Sequence, residues 1–530
     1  MFEPLPTPAE MAAWDQTAIR GFGLKAELLM ENAGAAALDV LNELRGPLAG
    51  QRVLLVAGGG NNGGDAFVLA RRLLDAGALP LVLHTKPRAG YKGEARYHMD
   101  LARKAGAELR RLDPARAEQT LDGLPAPDIL VDGLLGTGFK GQLSAEALGL
   151  VQAMNMIGEE CFVLALDIPS GLCGETGMPR PEAVRANATV AFHAAKLGCA
   201  LPHAEPYVGR LEARRIGIPQ AACAAAPARQ ERITEAVFGL LKPPAPDLHK
   251  GKAGHVLVIG GSEGLSGAAQ LCGLAALRAG AGLVTVACPR GVLHDVKAGM
   301  PDLMALPLGP DASGRFGPEG LEELLPHLPR FEAVVIGPGL GRDPGAAEFL
   351  AAFARGFARH FSMDLARAWA PPCIFDADAL FHLAQTPALM AELPANAVLT
   401  PHPGEMARLL GVGMAGLQAD RPAAARRFST EHKQVLVLKG AGTIVGQDGL
   451  LRLCAMSAPN LAVGGSGDVL AGVMAACLAR GVEPGLAACL GVTWHALAGR
   501  LLSRQYPGRG NLASDIANAL PQVLKELHPC

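Results

Sequence analysis

The chain has 530 residues, of which 48 are basic and 50 acidic; half are apolar and 66 are glycine. That length exceeds one ordinary domain and predicts two large domains or three small ones. The apolar content excludes a disordered chain, and charges that nearly cancel leave no basic field to hold nucleic acid.

The N-terminal stretch MFEPLPTPAEMAAWDQ lacks a basic region followed by an apolar run, so no signal peptide is expected. From Gln51 the sequence QRVLLVAGGGNNGGD runs an apolar strand into a Gly-rich loop, Gly58 to Asp65, and a helical stretch follows, which is the start of a βαβ unit. LPLVLHT from Leu79, PDILVDGLLGTG from Pro127 and CFVLALDIPSG from Cys161 repeat the pattern. Continuous rather than alternating apolar runs predict a parallel sheet buried on both faces. The Ala- and Pro-rich stretch 219–230 is the expected linker, giving domains at 1–222 and 228–530. A second α/β pattern follows, with strands at GHVLVIGGS from Gly254, AGLVTVACP from Ala281, EAVVIGPGLG from Glu332, PCIFDADAL, NAVLTPHPGE and KQVLVLKGAGT. Between them, the stretch from Ala354 to about residue 370 reads as a helical excursion with no assigned function. The apolar run from Leu271 to Cys288 is broken by Arg278 and glycines, which suits a core element better than a membrane span. The 11 cysteines are scattered without a CxxC pair, the pattern of reduced, buried thiols in a cytosolic protein.

Two groups of loops carry chemistry. In the first half, glycines after the first strand let backbone N–H groups approach an anion, and the next helix adds its positive end. The spacing is not the GxGxxG of an ordinary dinucleotide fold. Asp132-Gly-Leu-Leu-Gly-Thr-Gly138 and Asp167-Ile-Pro-Ser-Gly171 end two more strands, where ligands of open parallel sheets collect. Either aspartate alone is equally consistent with capping a turn. In the second half, Asn460-Leu-Ala-Val-Gly-Gly-Ser-Gly-Asp468 opens a helix whose N–H groups, from Gly465 to Asp468, suit a phosphate. A plain helix cap is the competing reading. Lys439-Gly-Ala-Gly-Thr443, Thr400-Pro-His-Pro-Gly-Glu405, Phe375-Asp-Ala-Asp-Ala-Leu380 and Gly337-Pro-Gly-Leu-Gly341 lie at other strand ends. His249-Lys-Gly-Lys-Ala-Gly254, Gly260-Gly-Ser262 and Ser266-Gly-Ala268 complete that group.

LLMENAG, GGGNNGGD, DGLLGTG, DIPSG and FHAAKLG, in this order over about Met11 to Pro219, resemble the NAD(P)H-hydrate epimerase family. The resemblance implies a Rossmann-like three-layer αβα domain. It implies substrate contacts from Asn61, Asn62, Gly63, Gly64 and Asp65, and from Gly136, Thr137, Gly138, Phe139, Lys140, Gly141 and Gln142. Asp167 would bind substrate and act as the acid/base group. Asn62, Asp132 and Ser170 would supply oxygens to potassium, a hard cation suited to such ligands. Inverting C6 of the hydrated nicotinamide ring needs proton transfer at its hydroxyl.

The C-terminal motifs, over roughly Ile233 to Pro529, resemble the ADP/ATP-dependent NAD(P)H-hydrate dehydratase family, which implies a ribokinase-like α/β domain. By that resemblance Ala268, Gly339, His402 and Asp468 contact the hydrated dinucleotide, and Asp468 is the catalytic base. Lys439, Gly440, Ala441, Gly442, Thr443 and Gly467 contact ADP, and Glu405 positions magnesium by a looser analogy. The sequence departs from the family at Ser466 and Val463, where threonines are expected. Together the two resemblances imply a cytoplasmic homo-oligomer that repairs hydrated NADH and NADPH, epimerising the R and S forms and dehydrating the S form with ADP. The substrates are small molecules, with no nucleic-acid or membrane partner. Two rival readings stand beside this one. A ribokinase-like kinase would release a stable phosphorylated product, and the N-terminal half could be a non-catalytic binding module.

Overall fold

The computed structural model describes residues 1–113, 117–310, 313–362 and 370–527. The chain divides into two units, Pro4–Glu231 and Arg232–Cys530 together with Met1–Glu3. The first short strand, β1 (Phe2–Pro4), joins the sheet of the second unit.

The unit Pro4–Glu231 is built on seven strands: β2 (Arg52–Ala57), β3 (Leu79–His84), β4 (Glu108–Arg111), β5 (Ile129–Gly133), β6 (Phe162–Leu166), β7 (Ala188–Phe192) and β8 (Arg210–Arg214). Their order is β4-β3-β2-β5-β6-β7-β8, and every pairing is parallel. This is the doubly wound Rossmann order, which reverses direction between β2 and β5. The central strands are buried along nearly their whole length, as continuous apolar runs between two helical layers require. The loop expected from Gly58 to Asp65 is shorter in the structure, because helix Asn61–Asp75 already begins at Asn61. Its first turn sits tightly on the strand exit. A Cβ at Gly63 would lie 2.0 Å from the Gly58 carbonyl oxygen, so only glycine allows the turn to form there. The stretch 219–230 contains helix Gln220–Ala225, with Ala222 buried in the core and the Ala226 carbonyl accepting the Trp14 indole N–H at 2.6 Å.

The second unit carries β9 (Gln230–Ile233), β10 (His255–Ile259), β11 (Leu283–Pro289), β12 (Met304–Leu308), β13 (Ala333–Ile336), β14 (Cys373–Phe375), β15 (Val398–Leu399), β16 (Val435–Leu438), β17 (Thr443–Gln447) and β18 (Leu450–Cys454). The sheet runs β1-β9-β18-β17-β16-β15-β14-β13-β10-β11-β12. From β16 to β12 it is parallel, and the β16-β17 and β17-β18 pairings are antiparallel. Helix Ser466–Ala479 is apolar on every face and almost entirely buried, as expected of a central helix. It packs against helices Ser266–Arg278, Pro484–Gln505 and Ala513–Leu527. Among the described residues, Pro484–Gln505 alone is long and apolar enough to cross a membrane, and 78% of its apolar window is buried inside the protein. The excursion from Ala354 continues helix Pro344–Ser362, and residues 363–369 lie outside the described part. The described cysteines form no disulfide, and Cys199, Cys272, Cys373, Cys454 and Cys477 are buried.

The contact between helices Ser266–Arg278 and Ser466–Ala479 depends on Gly472, where a Cβ would lie 2.1 Å from the Cys272 carbonyl oxygen. Gly472→Ala is expected to cost about 1–3 kcal/mol by forcing the helices apart, read as a lower urea midpoint. Gly267→Ala, at a position with nothing within 4 Å, should be neutral or slightly stabilising because alanine favours the helix. Equal midpoints for the two variants would contradict this packing.

Candidate active sites

At the β2/β5 reversal the loops after these strands diverge, and this is where an open parallel sheet offers a binding crevice. The loop after β6 joins them. A Cβ at Gly136 would lie 3.2 Å from Asn62 Cβ and 3.6 Å from Asp167 Oδ2, so the three loops meet within contact distance. The Asn62 amide nitrogen donates to the carbonyls of Leu135 at 2.7 Å and Leu166 at 3.1 Å. Its Oδ1 is buried and has no hydrogen-bond partner. Asp132 is fully buried and accepts the Ser170 N–H at 2.7 Å, the Ser170 hydroxyl at 2.6 Å and the Leu134 N–H at 3.1 Å. Burial pushes its carboxyl up to about 6 against the pull of those bonds. Asp132 and Ser170 therefore stitch the β5 and β6 loops together. Among the described residues no three His, Cys, Asp or Glu side chains gather as a metal set. The Asn62, Asp132 and Ser170 trio instead offers amide, carboxylate and hydroxyl oxygens, one of them unpartnered. That donor set fits a hard monovalent cation.

Asp167 sits at φ +66°, an unusual conformation for a non-glycine residue, of the kind that clusters at functional sites. Its carboxylate accepts the ammonium of Lys196 and, at 3.4 Å, the Phe192 N–H. Lys196 is buried and donates to the Phe192 carbonyl at 2.9 Å. Two more carboxylates crowd this pair. Burial raises Asp65 well above the carboxylate range, with Asp167 and Asp15 adding to the effect. Burial likewise raises Asp15 to about 6, Lys196 opposing and Asp167 reinforcing. One carboxylate is thus paired with a cation beside two that favour protonation, an arrangement able to accept a proton at one point and donate one at another. Lys196 lies inside the FHAAKLG motif, but no role was attached to it. Asp15 was missed altogether; its only signal is an acid next to the buried Trp14 in a short helix.

The remaining predicted residues of this unit divide. Gly63 and Gly64 are buried against protein, whereas Asn61, Gly138, Lys140, Gly141 and Gln142 are exposed and Thr137 is half-buried. Phe139 packs against the apolar cluster under the β5 loop, so it anchors that loop.

In the second unit the carboxyl ends of β10, β13, β14, β15 and β16 lead into the predicted loops. Asp376, just past β14, is buried and accepts the Thr400 hydroxyl at 2.6 Å and the Lys439 ammonium at 2.8 Å on the same oxygen. A Cβ at Gly467 would lie 3.2 Å from Lys439 Nζ and 3.9 Å from Asp376 Oδ2. Lys439, Asp376 and the first turn of helix Ser466–Ala479 therefore come together. Asp468 lies in that turn. Burial first, and then the charge of Asp376, push its carboxyl up to about 7, with Lys439 opposing. Burial would lower the Lys439 ammonium, but Asp376 and Glu405 reverse this and its value is raised. The first N–H groups of a helix lack intrahelical partners. Here the Ser466 N–H is taken by the Val463 carbonyl at 3.3 Å, which leaves Gly467 and Asp468 at the open end. The Ser466 hydroxyl bonds Nε2 of the buried His495 at 3.1 Å. The serine that stands for an expected threonine thus has an internal partner, and nothing in the structure explains Val463.

The loop Lys439 to Thr443 is split by the structure. Lys439 turns inward to Asp376, while Gly440 and Ala441 are exposed at the tip of the β16-β17 turn. Arg421 braces this turn by donating to the carbonyls of Ala441 at 2.6 Å and Lys439 at 3.1 Å. Gly442 is buried, and the Thr443 hydroxyl donates to the Gly440 carbonyl at 3.0 Å. Asp378 fixes the β13 loop by accepting the Gly341 N–H at 3.1 Å and Arg342 Nε at 2.7 Å. Gly339, at φ +63°, packs against Leu265 one residue before the helix that carries Ala268. His402 is the N-cap of helix Pro403–Leu410. Its Nδ1 accepts the Gly404 N–H at 2.9 Å while Glu405 accepts the His402 N–H at 2.8 Å, a reciprocal capping box. Burial and then Lys439 lower the His402 imidazole, consistent with an acceptor nitrogen. Glu405 is buried, and burial raises its carboxyl. Asp376 and Asp378 lie in the Phe375–Leu380 motif, to which no separate role attaches, and Arg421 lies outside every motif read from the sequence.

The profile of a family described as NAD(P)H-hydrate dehydratase matches residues 256–522, and that of the YjeF-related protein N-terminus matches residues 26–198. The bifunctional NAD(P)H-hydrate repair enzyme of Moorella thermoacetica is 37% identical over 531 residues, covering 99% of this chain and 97% of its own length. Its counterpart in Escherichia coli K12 is 33% identical, covering 95% of this chain and 90% of its own. A solved ADP/ATP-dependent NAD(P)H-hydrate dehydratase from Bacillus subtilis aligns with 56% of this chain and 97% of its own at 26% identity and a TM-score of 0.45. Near-complete alignment at these identities, with one family profile on each unit, shows that the chain belongs to the bifunctional NAD(P)H-hydrate repair enzymes, which join an epimerase and a dehydratase in one polypeptide.

Proposed function

We propose that residues 1–222 interconvert the R and S epimers of hydrated NADH and NADPH, and that residues 228–530 dehydrate the S form at the expense of ADP. One observation carries the dehydratase reading. Asp468, a carboxyl balanced near neutrality, stands at the start of a buried helix beside a paired lysine. A hydroxyl at C6 leaves poorly because hydroxide is a strong base. In this reading Asp468 takes the hydroxyl proton, the oxygen bonds to the terminal phosphorus of ADP, and the bond to the AMP oxygen breaks. The ring nitrogen lone pair then expels phosphate, and loss of a C5 proton restores the dihydronicotinamide. The N–H groups of Gly467 and Asp468 would hold the transferring phosphoryl, where positioning and charge supply most of the catalysis. Ala268, Gly339 and His402 would line the dinucleotide, and Lys439 to Thr443 with Gly467 the ADP. Magnesium travelling with ADP would take phosphate oxygens and water, with Glu405 the nearest assigned carboxylate.

In the epimerase, Asp167 would move the proton at the C6 hydroxyl, whether that group leaves and returns or the ring opens and closes. Asn61 to Asp65 and Gly136 to Gln142 would hold the dinucleotide. The unpartnered Asn62 oxygen, with Asp132 and Ser170, would hold a potassium ion, whose charge would orient the substrate phosphates. Since hydration of the ring yields both epimers, an epimerase in the same chain feeds the dehydratase all of the damaged pool. The proposal extends to a homo-oligomer in the cytoplasm, an address that suits the unpaired thiols.

Asp167→Asn is expected to lose epimerisation by roughly 10²–10⁴ while dehydration of the S form continues, followed by the return of dihydronicotinamide absorbance from each purified epimer. A variant that interconverts the epimers at the wild-type rate removes Asp167 from the chemistry.

Crystals grown in potassium should show anomalous scattering next to Asn62 Oδ1, and the peak should vanish in Asn62→Leu. An empty site in the wild-type protein, or a transition metal there, contradicts the assignment.

Asp468→Asn should keep ADP affinity and epimerase activity but lose nucleotide-dependent repair by roughly 10²–10⁴. Below about pH 7 the wild-type carboxyl is protonated and cannot accept the proton, so kcat should fall about tenfold per pH unit on the acid side. The sign also predicts stability. A raised carboxyl destabilises the fold as pH climbs through its folded value, so at pH 8 the thermal midpoint of Asp468→Asn should equal or exceed the wild type. Near-normal turnover in this variant would remove Asp468 from the chemistry.

A further inference from the structure

We propose that Asp376 is a positioning residue for phosphoryl transfer: with Thr400 it fixes the Lys439 ammonium beside the open end of helix Ser466–Ala479, where that charge meets the transferring phosphoryl. The inference rests on the dehydratase reading above and assigns within it what holds the charge in place. Asp376, Thr400 and Lys439 leave three adjacent strands, β14, β15 and β16. Asp376 is held from its own backbone, its N–H donating to the Ile336 carbonyl at 3.1 Å before Ala377 turns to φ +50°. The Thr400 hydroxyl donates to Asp376 Oδ1 at 2.6 Å, which fixes the carboxylate rotamer, and Lys439 Nζ donates to the same oxygen at 2.8 Å. A lysine has a long, flexible stem, and this bond holds its end near the point where a Cβ on Gly467 would stand, 3.2 Å away. The first turn of that helix and the ammonium are therefore neighbours. A pair that only balanced its own charges would have no need to face a helix start lacking a side chain.

The test uses the full chain, saturating S-hydrate and varied ADP. Asp376→Asn and Lys439→Met should each lower kcat by about 10²–10³, the range for losing one preorganised charge or donor, with KM for ADP changing by less than about threefold. Because the two act as one unit, the double variant should be no worse than Lys439→Met by more than about threefold. Lys439→Arg should not restore the rate, since a planar guanidinium does not fit a point-charge site. Thr400→Val keeps both charges and loosens only the carboxylate; a kcat loss of about tenfold is expected from it. It also covers the case in which Asp376→Asn fails to fold, with epimerase rate and thermal midpoint as controls. Losses that multiply in the double variant, or wild-type kcat in Thr400→Val or Asp376→Asn, overturn the assignment. If wild-type protein restores the dihydronicotinamide without consuming nucleotide, the phosphoryl-transfer reading itself falls and takes this inference with it.

Discussion

A lysine ammonium withdrawn from water costs several kcal/mol unless a carboxylate and further acceptors meet it, and each unit accepts that cost at the carboxyl ends of its strands. In the first, Lys196 is buried against Asp167 and the Phe192 carbonyl. In the second, Lys439 meets Asp376, itself held by Thr400. In each case cation and anion come from different strand ends, so satisfying the charge also sets the relative positions of the loops. The glycine-rich backbone can then approach a ligand without losing its geometry. Asp15 and Asp65 gather about the first lysine and Asp468 stands beside the second; burial raises all three against the opposing pull of the lysine.

The two sites use their carboxylates differently. The first unit sets a lysine-bound aspartate among protonatable neighbours, which would suit the proposed transfer of the hydroxyl proton at C6 in both directions. In the second unit the lysine is bound by Asp376, which leaves Asp468 for the proton-accepting role proposed above. Asp132 belongs to neither pattern: it is fully buried, and its three bonds to Ser170 and Leu134 make it a staple between loops. An aspartate read from sequence as a ligand can therefore hold a loop together as well as face a cation.

Much of the fold was legible because buried parallel strands are continuous apolar runs. β2, β3, β5 and β6 in the first unit, and β10, β11, β13, β14, β15 and β16 in the second, all stand where such runs occur. Of the strands not foreseen, two carry the opposite signal, whereas β7, the buried run Ala-Thr-Val-Ala-Phe, is as apolar as those that were read. β4 is Glu-Leu-Arg-Arg and β8 is Arg-Leu-Glu-Ala-Arg, charged sequences tolerable only at the edges of a sheet. The loops bearing Asn62, Asp132, Asp167, Asp376 and Asp468 were legible from their glycines and their place after strands. What the sequence could not display was pairing at a distance. Lys439 and Asp376 are 63 positions apart, and no local pattern announces that the lysine of KGAGT turns away from its own loop. His402 shows the converse: its capping box with Glu405 spans only three residues, so the local reading of a structural histidine was available from spacing alone.

The buried cysteines give both units an internal reporter. Burial pushes their thiols up, Cys454 to about 11 and Cys199 and Cys477 to about 12, so in the closed protein almost none is thiolate at neutral pH. A thiol-specific reagent can reach them only when the surrounding helices and strands open. Cys199 follows Lys196 in the first unit, Cys272 and Cys477 lie on the two helices that meet at Gly472, and Cys454 ends β18. The labelling rate at each position therefore measures the free energy of opening of its own neighbourhood, without any engineered probe, and separates local breathing around either site from global unfolding.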